Sequence, residues 1–221
     1  MLEVIELKPN TAPSWVIIAM HGLGADGNDL IDGNSLLGFN FKNPVTYLFP
    51  NAPQRFVSFA GTTLPAWFEI NDFSSRIPEE DPNSLAASVS EIHLLIEQTL
   101  LKNKIPSEHL ILLGFSQGGV LALAAGLTYP QRLGGIVSLS AWLPNSFVSK
   151  SLPVFNRETP IFFGHGENDE LIPITWTETS IASLKCGGSN LTHKQYAHLG
   201  HGINLLEQQD LQNWLSSLID R

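Results

Sequence analysis

A serine held between two glycines, in residues 114–118 (GFSQG), constrains this chain more than any other feature. The pattern G-x-S-x-G marks a tight turn from a strand into a helix, which lifts the serine hydroxyl clear of the sheet. Residues 110–113 (LILL) precede it as a short apolar run, typical of a strand buried on both faces. Residues 120–127, which follow it, are rich in Ala and Leu. The alternative, a glycine-rich turn without chemistry, leaves both flanks unexplained.

Runs that fit strands alternate with runs that fit helices along the whole chain. Four short runs are rich in apolar β-branched and aromatic residues and are followed by turn residues. They are residues 15–20, 45–49, 136–139 and 161–163. Strands that alternate with helices predict an α/β fold with a mostly parallel central sheet and helices on both faces. No repeat, low-complexity tract or linker divides the sequence, so we expect one domain over residues 1–221.

Two helices can be located from capping and spacing. Asp81 and Pro82 are typical of an N-cap and of the first helical position. The apolar residues after them recur at helical spacing, at Leu85, Val89, Ile92, Ile96 and Leu100. A second apolar stripe, near the C-terminus, consists of Leu211, Trp214, Leu215 and Leu218. The irregular residues 70–80 are interpreted as a surface loop near the functional site.

Composition restricts the partners and the compartment. A chain of 221 residues that is 43% apolar can bury a sizeable core. Its formal net charge of −9 argues against nucleic acid and against an anionic membrane surface as a tight ligand. Cys186, the single cysteine, cannot form an internal disulfide, and the N-terminus lacks the basic region of a signal peptide. Because no apolar stretch approaches the roughly 20 residues of a membrane span, we expect a soluble, cytoplasmic protein.

The residues that a serine-based reaction needs follow Ser116 in the order acid, then histidine. A serine hydroxyl is a weak nucleophile and needs a histidine base that a carboxylate orients. In sheets with this turn, the acid and then the histidine follow the serine, each on a loop after a strand. Asp169 lies in an acidic, turn-rich loop after the strand-like residues 161–163, and His201 follows the strand-like residues 191–196. We therefore predict Ser116, Asp169 and His201 as the catalytic set.

Other residues compete for two of these roles. Glu167 and Glu170 flank Asp169, and His198 precedes His201 by three residues. Glycines on both sides of His201 favour it over His198, because they leave its loop free to present the ring to the serine. His165 lies near the acid, where it would help to shape the turn, although a lone loop histidine is more often structural.

Acyl transfer also needs two backbone N–H groups that stabilise the developing oxyanion. One is expected from Gln117, directly after the nucleophile, and the other from the loop after an early strand. Leu23 is our candidate, in the glycine-rich residues 21–24 (HGLG).

The same loop also satisfies a different pattern. Residues 22–27 (GLGADG) match the G-x-G-x-x-G of dinucleotide sites and follow a strand. That fingerprint requires an acid at the end of the next strand, where this chain has Leu48, Phe49 and Pro50 instead. The acids in residues 26–32 lack the spacing of a calcium loop, and no His/Cys cluster indicates zinc. We predict neither a cofactor nor a metal, and we keep a dinucleotide enzyme as an alternative.

Taken together, these motifs resemble the phospholipase/carboxylesterase family of small α/β-hydrolases, which includes the acyl-protein thioesterases. The matching segments are residues 21–27 (HGLGADG), 49–53 (FPNAP), 66–68 (AWF), 114–119 (GFSQGG), 165–169 (HGEND) and 200–202 (GHG). The resemblance implies a single-domain α/β-hydrolase fold, with Ser116, Asp169 and His201 as the triad and Leu23 and Gln117 as oxyanion donors. It also implies hydrolysis of carboxylic esters, lysophospholipids or S-acylated proteins without a cofactor.

The sequence therefore predicts a serine hydrolase of carboxylic esters or thioesters that works through an acyl-enzyme intermediate. Five residues near the motifs are candidates for the wall of an acyl channel: Leu64, Trp67, Phe68, Phe73 and Trp142. The alternative is that they belong to the core, since buried aromatic residues need no ligand. We expect no nucleic-acid partner and no stable membrane insertion. A noncatalytic binding module on the same scaffold is the alternative function.

Overall fold

The computed structural model of the protein describes residues 2–32, 39–72, 78–144, 156 and 158–221. Its centre is one seven-stranded sheet. With strands numbered in chain order, the spatial order is Val4–Leu7 (β1), Val45–Pro50 (β3), Trp15–Met20 (β2), Leu110–Phe115 (β8), Gly135–Leu139 (β9), Ile161–Gly166 (β10) and Leu191–Tyr196 (β11). Every neighbouring pair is parallel except β1 with β3. The predicted, mostly parallel sheet is confirmed.

Two short strand pairs lie outside this sheet. Gln54–Val57 (β4) and Thr62–Pro65 (β5) form an antiparallel hairpin, and Ile70–Asp72 (β6) pairs antiparallel with Glu79–Glu80 (β7). The interpretation of residues 70–80 as a surface loop is therefore wrong at both ends; residues 73–77 lie outside the described part. Both ends are held inside the protein, because Ile70 joins the core and the buried Glu80 carboxylate accepts a hydrogen bond from the Trp142 indole.

The α-helices of six or more residues in the described ranges, numbered in the same way, are Gly27–Asp32 (α1), Pro82–Asn103 (α2), Gln117–Thr128 (α3), Ile174–Cys186 (α4) and Leu205–Ile219 (α5). The predicted start of α2 is confirmed: the Asp81 carboxylate caps it by accepting a hydrogen bond from the Ser84 N–H at 2.8 Å. The exposed Cys186 ends α4.

The sheet is buried on both faces, which explains why its strands are apolar without alternation. In β2, Val16, Ile18 and Met20 join one core, which α2, α3 and α4 cover. The intervening Trp15, Ile17 and Ala19 join a second core on the opposite face, under α1 and α5. Each buried Val, Ile or Met side chain among them contributes about 1.5–3 kcal/mol. Helices on both faces are thus confirmed.

This topology gathers the loops that carry the motifs. The strands β2, β8, β10 and β11 run parallel, so their carboxyl ends lie at one edge of the sheet, where open α/β sheets bind ligands. The segments directly after those four ends contain Leu23, Ser116, Asp169 and His201. In the described ranges, no helix has both the length and the apolar character needed to span a membrane.

Candidate active site

The turn from β8 into α3 holds Ser116 in a backbone conformation that few residues adopt. Its φ and ψ are 54° and −120°, and its N–H donates to the Leu139 carbonyl at 2.9 Å. Two glycines make the turn possible. A Cβ on Gly114 would lie 2.0 Å from the Gly118 carbonyl oxygen, and a Cβ on Gly118 would lie 2.1 Å from that of Met20. The glycines of the motif thus let the strand, the turn and α3 approach closely.

The structure brings the three predicted catalytic side chains into one chain of contacts. His201 Nε2 lies 3.0 Å from Ser116 Oγ, and His201 Nδ1 lies 2.8 Å from Asp169 Oδ2. Because the carboxylate can only accept, Nδ1 carries a proton and Nε2 is free to accept one from the serine. This is the arrangement that a histidine base requires.

Asp169 is a buried carboxylate with defined hydrogen bonds. Its Oδ1 accepts from the backbone N–H groups of Leu171 at 3.0 Å and Ile172 at 2.8 Å. Burial alone would raise its pKa, but the hydrogen bonds from His201 and from the Ile172 N–H outweigh burial, and the pKa lies below its ordinary value. The carboxylate therefore remains charged and stabilises a proton on His201.

The competing residues lie elsewhere. Glu167 and Glu170 are exposed on either side of the buried Asp169. His198 is also exposed, in a left-handed turn with φ 60°. None of the three has a hydrogen bond to Ser116 or His201 within the part of the chain that the structure describes.

The loop after β2 lies against the nucleophile. A Cβ on Gly22 would be 3.4 Å from Ser116 Cβ, and Leu23 and Gln117 line the same cavity as Ser116. Neither the Leu23 N–H nor the Gln117 N–H donates to another group among the described residues. Both donors are therefore available to an oxyanion.

A buried histidine, His21, fixes this loop. Its Nε2 accepts from the Ala52 N–H at 3.0 Å, so its Nδ1 carries the proton and donates to the Gly22 carbonyl at 2.7 Å. Burial lowers the pKa of His21 and keeps the ring neutral. Sequence reasoning quoted His21 only as part of a motif and missed this role, because the partner Ala52 follows a different strand.

A cavity of about 520 Å³ opens beside Ser116 and is mostly apolar. Trp142 and Ile70 line its interior, and Phe59 and Leu171, which are 54% and 66% exposed, lie at its rim. Sequence reasoning missed Ile70, Phe59 and Leu171. No motif marks them, and the chain fold alone brings them to the serine.

Of the residues predicted to form the wall of an acyl channel, only some line this cavity. Trp142 lines the cavity, whereas Leu64, Trp67 and Phe68 are not among the described residues that line it. Trp67 and Phe68 are buried behind the loop that follows β2, and the Trp67 indole donates to the His21 carbonyl at 2.9 Å. The Gln117 side-chain oxygen accepts from the Trp67 N–H, and its amide N–H donates to the Phe68 carbonyl. The prediction that they form the channel wall is corrected, since they support the site from behind. Phe73 lies outside the described residues.

The backbone donors at the start of α1 are already satisfied, which leaves little for a dinucleotide phosphate. The N–H groups of Asp26, Gly27 and Asn28 donate to the side chains of Asp29, Asn51 and Asp26, at 2.8, 2.8 and 2.7 Å. Two of those acceptors are carboxylates, which repel a phosphate. Over the described ranges, no group of three or more His, Cys, Asp or Glu residues is placed to hold a metal ion.

Comparison with known proteins agrees with the fold and with the family resemblance. The profile of the family described as Phospholipase/Carboxylesterase matches residues 2–219. The chain is 34% identical to acyl-protein thioesterase 1 of Gibberella zeae, over 90% of this chain and 88% of that protein. The crystal structure of Arabidopsis thaliana SOBER1 superimposes with a TM-score of 0.79 at 30% identity, over 92% of this chain and 98% of SOBER1. Acyl-protein thioesterase 2 of Zea mays superimposes with a TM-score of 0.82 at 26% identity, over 99% and 100% of the two chains. With its profile, its relatives and its α/β-hydrolase fold in agreement, the chain belongs to the phospholipase/carboxylesterase family.

Proposed function

We propose that this protein, a carboxylic ester hydrolase by family, cleaves esters or thioesters with Ser116 as nucleophile, His201 as general base and acid, and Asp169 as the orienting acid. One observation carries the proposal. Asp169, His201 and Ser116 form a continuous line of contacts at 2.8 and 3.0 Å, although three separate loops supply them. A protein without this chemistry has no physical need for all three groups in that order.

In the first half-reaction, the Ser116 hydroxyl attacks the acyl carbon while its proton passes to His201 Nε2. The negative charge that develops on the carbonyl oxygen is stabilised by the N–H groups of Leu23 and Gln117, each worth about a hundredfold to a thousandfold in rate. His201 then returns the proton to the leaving alcohol or thiol, and the acyl group remains on Ser116. Asp169 stabilises the charged imidazole in between.

In the second half-reaction, water takes the place of the leaving group. His201 Nε2 removes a proton from the water as its oxygen attacks the acyl-enzyme carbonyl, and the same two N–H groups stabilise the second oxyanion. Collapse of this intermediate transfers the proton to Ser116 Oγ and releases a carboxylic acid. No redox step and no cofactor enters the cycle.

The apolar cavity supports an acyl group as the part of the substrate that is bound. Ile70, Trp142 and Leu30 offer it an apolar wall beside Ser116. Small-molecule esters, lysophospholipids and S-acylated proteins all carry such a group. The relatives that are named carboxylesterases support small-molecule esters as substrates, and those that are named acyl-protein thioesterases support S-acylated proteins.

A fluorophosphonate probe with mass-spectrometric mapping tests the nucleophile. We expect labelling at Ser116, loss of labelling in Ser116→Ala, and loss of nearly all nitrophenyl ester hydrolysis in that variant. Ser140→Ala is the matched control: Ser140 is also buried with a positive φ of 48°, but its hydroxyl has no partner among the described residues. Full hydrolysis by Ser116→Ala would contradict the mechanism. A folded protein without labelling or hydrolysis would favour the noncatalytic binding module.

A further inference from the structure

His165 is a fully buried histidine beside the site that the proposed mechanism does not use. It lies near the end of β10 with no exposed surface, four residues before Asp169. Its Nε2 lies 2.9 Å from the Ile172 carbonyl oxygen and 3.5 Å from Asp169 Oδ2. The ring therefore contacts residues 169–172, which we call the acid loop.

The neighbours of His165 define which nitrogen carries the proton. The Ile172 carbonyl and the Asp169 carboxylate can only accept hydrogen bonds, so Nε2 must be the donor. Burial lowers the pKa of His165, which favours the neutral ring with a single N–H. That single proton points into the loop formed by residues 169–172.

The other ring nitrogen is held from a different element. Thr177, buried in α4, has its hydroxyl oxygen 2.9 Å from His165 Nδ1 and 2.7 Å from the Ala141 carbonyl oxygen. Its one proton lies within reach of both acceptors. His165 is thus held between α4 and the acid loop.

Ile172 links this ring to the acid. The Ile172 N–H donates to Asp169 Oδ1 at 2.8 Å, while the carbonyl of the same residue accepts from His165. A shift of the ring would move Asp169 Oδ1 through Ile172, and it would change the 3.5 Å contact between His165 Nε2 and Asp169 Oδ2. The oxygen that faces His165 is Oδ2, which also accepts from His201.

We propose that His165, held by Thr177, is a positioning residue for the triad acid: its Nε2–H holds Asp169 and Ile172 so that Asp169 Oδ2 faces His201 Nδ1. This inference rests on the proposed function, because it assigns a role through Asp169. Loss of the Nε2 donor is expected to let the carboxylate turn and to loosen the orientation of His201. A misplacement of this kind costs about tenfold to a hundredfold in rate.

Two amide variants separate the roles of the two ring nitrogens. His165→Gln places an amide nitrogen near the position of Nε2, whereas His165→Asn places one near Nδ1 and leaves the Nε2 position empty. We expect His165→Asn to lower kcat about tenfold to a hundredfold with KM changed less than about threefold, and His165→Gln to retain most of the activity. In an Asp169→Asn background, His165→Asn should lower kcat no further.

The downfield proton resonance of His201 Nδ1–H gives a readout that does not depend on turnover. We expect this resonance to disappear or move upfield in His165→Asn and to persist in wild type and in His165→Gln. If both variants lose thermal stability alike, while kcat per folded molecule and the resonance stay unchanged, His165 is only structural and the proposal is overturned. If Ser116→Ala hydrolyses esters like wild type, the proposed function fails, and the resonance still decides whether His165 positions Asp169.

A second pair of variants serves if His165→Asn does not fold. Thr177→Val removes the hydroxyl at nearly constant volume, and Thr177→Ser retains it. We expect Thr177→Val to lower kcat several-fold and to broaden the His201 resonance, with little effect of Thr177→Ser. An unchanged kcat and resonance in folded Thr177→Val would overturn the role of Thr177 in holding the ring.

Discussion

Glu207 is a buried carboxyl group whose pKa departs strongly from its ordinary value. It lies in the first turn of α5, fully buried, and neither carboxyl oxygen has a hydrogen-bond partner among the described residues. It faces Gly164 of β10, where a Cβ would come within 2.1 Å of Oε1. Burial, and then the charge of Asp210, raises the pKa of Glu207 to about 8. The residue therefore holds a proton at neutral pH.

We predict that Glu207 makes the free energy of unfolding fall as pH rises from about 5 to about 8. Below its ordinary pKa of 4.5, the folded and the unfolded chain both hold the proton; above it, only the folded chain does. Each unit of pKa difference contributes on the order of 1.4 kcal/mol. Glu207→Gln should therefore become more stable relative to wild type as pH rises, as measured by urea unfolding at several pH values. Glu97→Gln, at an exposed position of α2, is the control. Parallel pH profiles for wild type and Glu207→Gln would contradict the prediction.

Among the elements, the turn between β8 and α3 is the one whose geometry the sequence specifies most closely. Its glycines are required by backbone contacts and not by flexibility alone, since a Cβ at Gly118 would meet the carbonyl oxygens of Met20 and His21 at 2.1 and 2.6 Å. Met20 ends β2, and His21 begins the loop that contains Leu23. The turn and this loop therefore pack as one unit.

We predict that Gly118→Ala destabilises the protein by about 1–3 kcal/mol or more, because the clash is with rigid backbone. Urea unfolding measures this effect, and fluorophosphonate labelling of the residual folded fraction should also fall. Gly202→Ala is the control, because nothing lies within 4 Å of a Cβ there and the residue directly follows His201. Its stability should change by less than about 1 kcal/mol. Equal stabilities of the two variants would show that the close approach at Gly118 is not required.

Element prediction succeeded where local signals were strong. Asp81 and Pro82 begin α2, as their residue types indicate, and the apolar runs became the buried strands. It failed for β6 and β7, since strands of three and two residues are too short to carry a period. The packing of Ile70 and the contact of Glu80 with Trp142 decide their conformation.

The cavity is a property of the whole molecule. Phe59 belongs to the turn between β4 and β5, Ile70 to β6, Trp142 to the segment after β9, and Leu171 to the acid loop. They meet only because the parallel strands end at one edge of the sheet. The size of the cavity is therefore set by segments that lie far apart in the chain.

We predict that kcat/KM for nitrophenyl esters rises with acyl length by up to about fourfold for each methylene that the cavity buries. The rise should stop when the acyl group fills the cavity of about 520 Å³. Ile70→Phe should move the plateau to shorter chains, whereas Leu101→Phe, at a residue that is 84% exposed and does not line the cavity, should not. A series that shows no preference for longer acyl groups would remove the role of the cavity in acyl binding.

By itself, the sequence determined the α/β class, the strand-turn-helix around Ser116 and the order of serine, acid and histidine. These depend on backbone preferences and on the pattern of apolar residues over a few positions, which local sequence encodes. Only the tertiary structure decided that Asp169 contacts His201 and that His201 contacts Ser116, while Glu167, Glu170 and His198 are exposed. It also decided that Trp67 and Phe68 lie behind the site. It also placed His165 in contact with Asp169, and Thr177 in contact with His165. Distances and side-chain directions between loops that are 32 and 85 residues apart follow from the packing of the whole sheet and its helices, and no short segment contains that information.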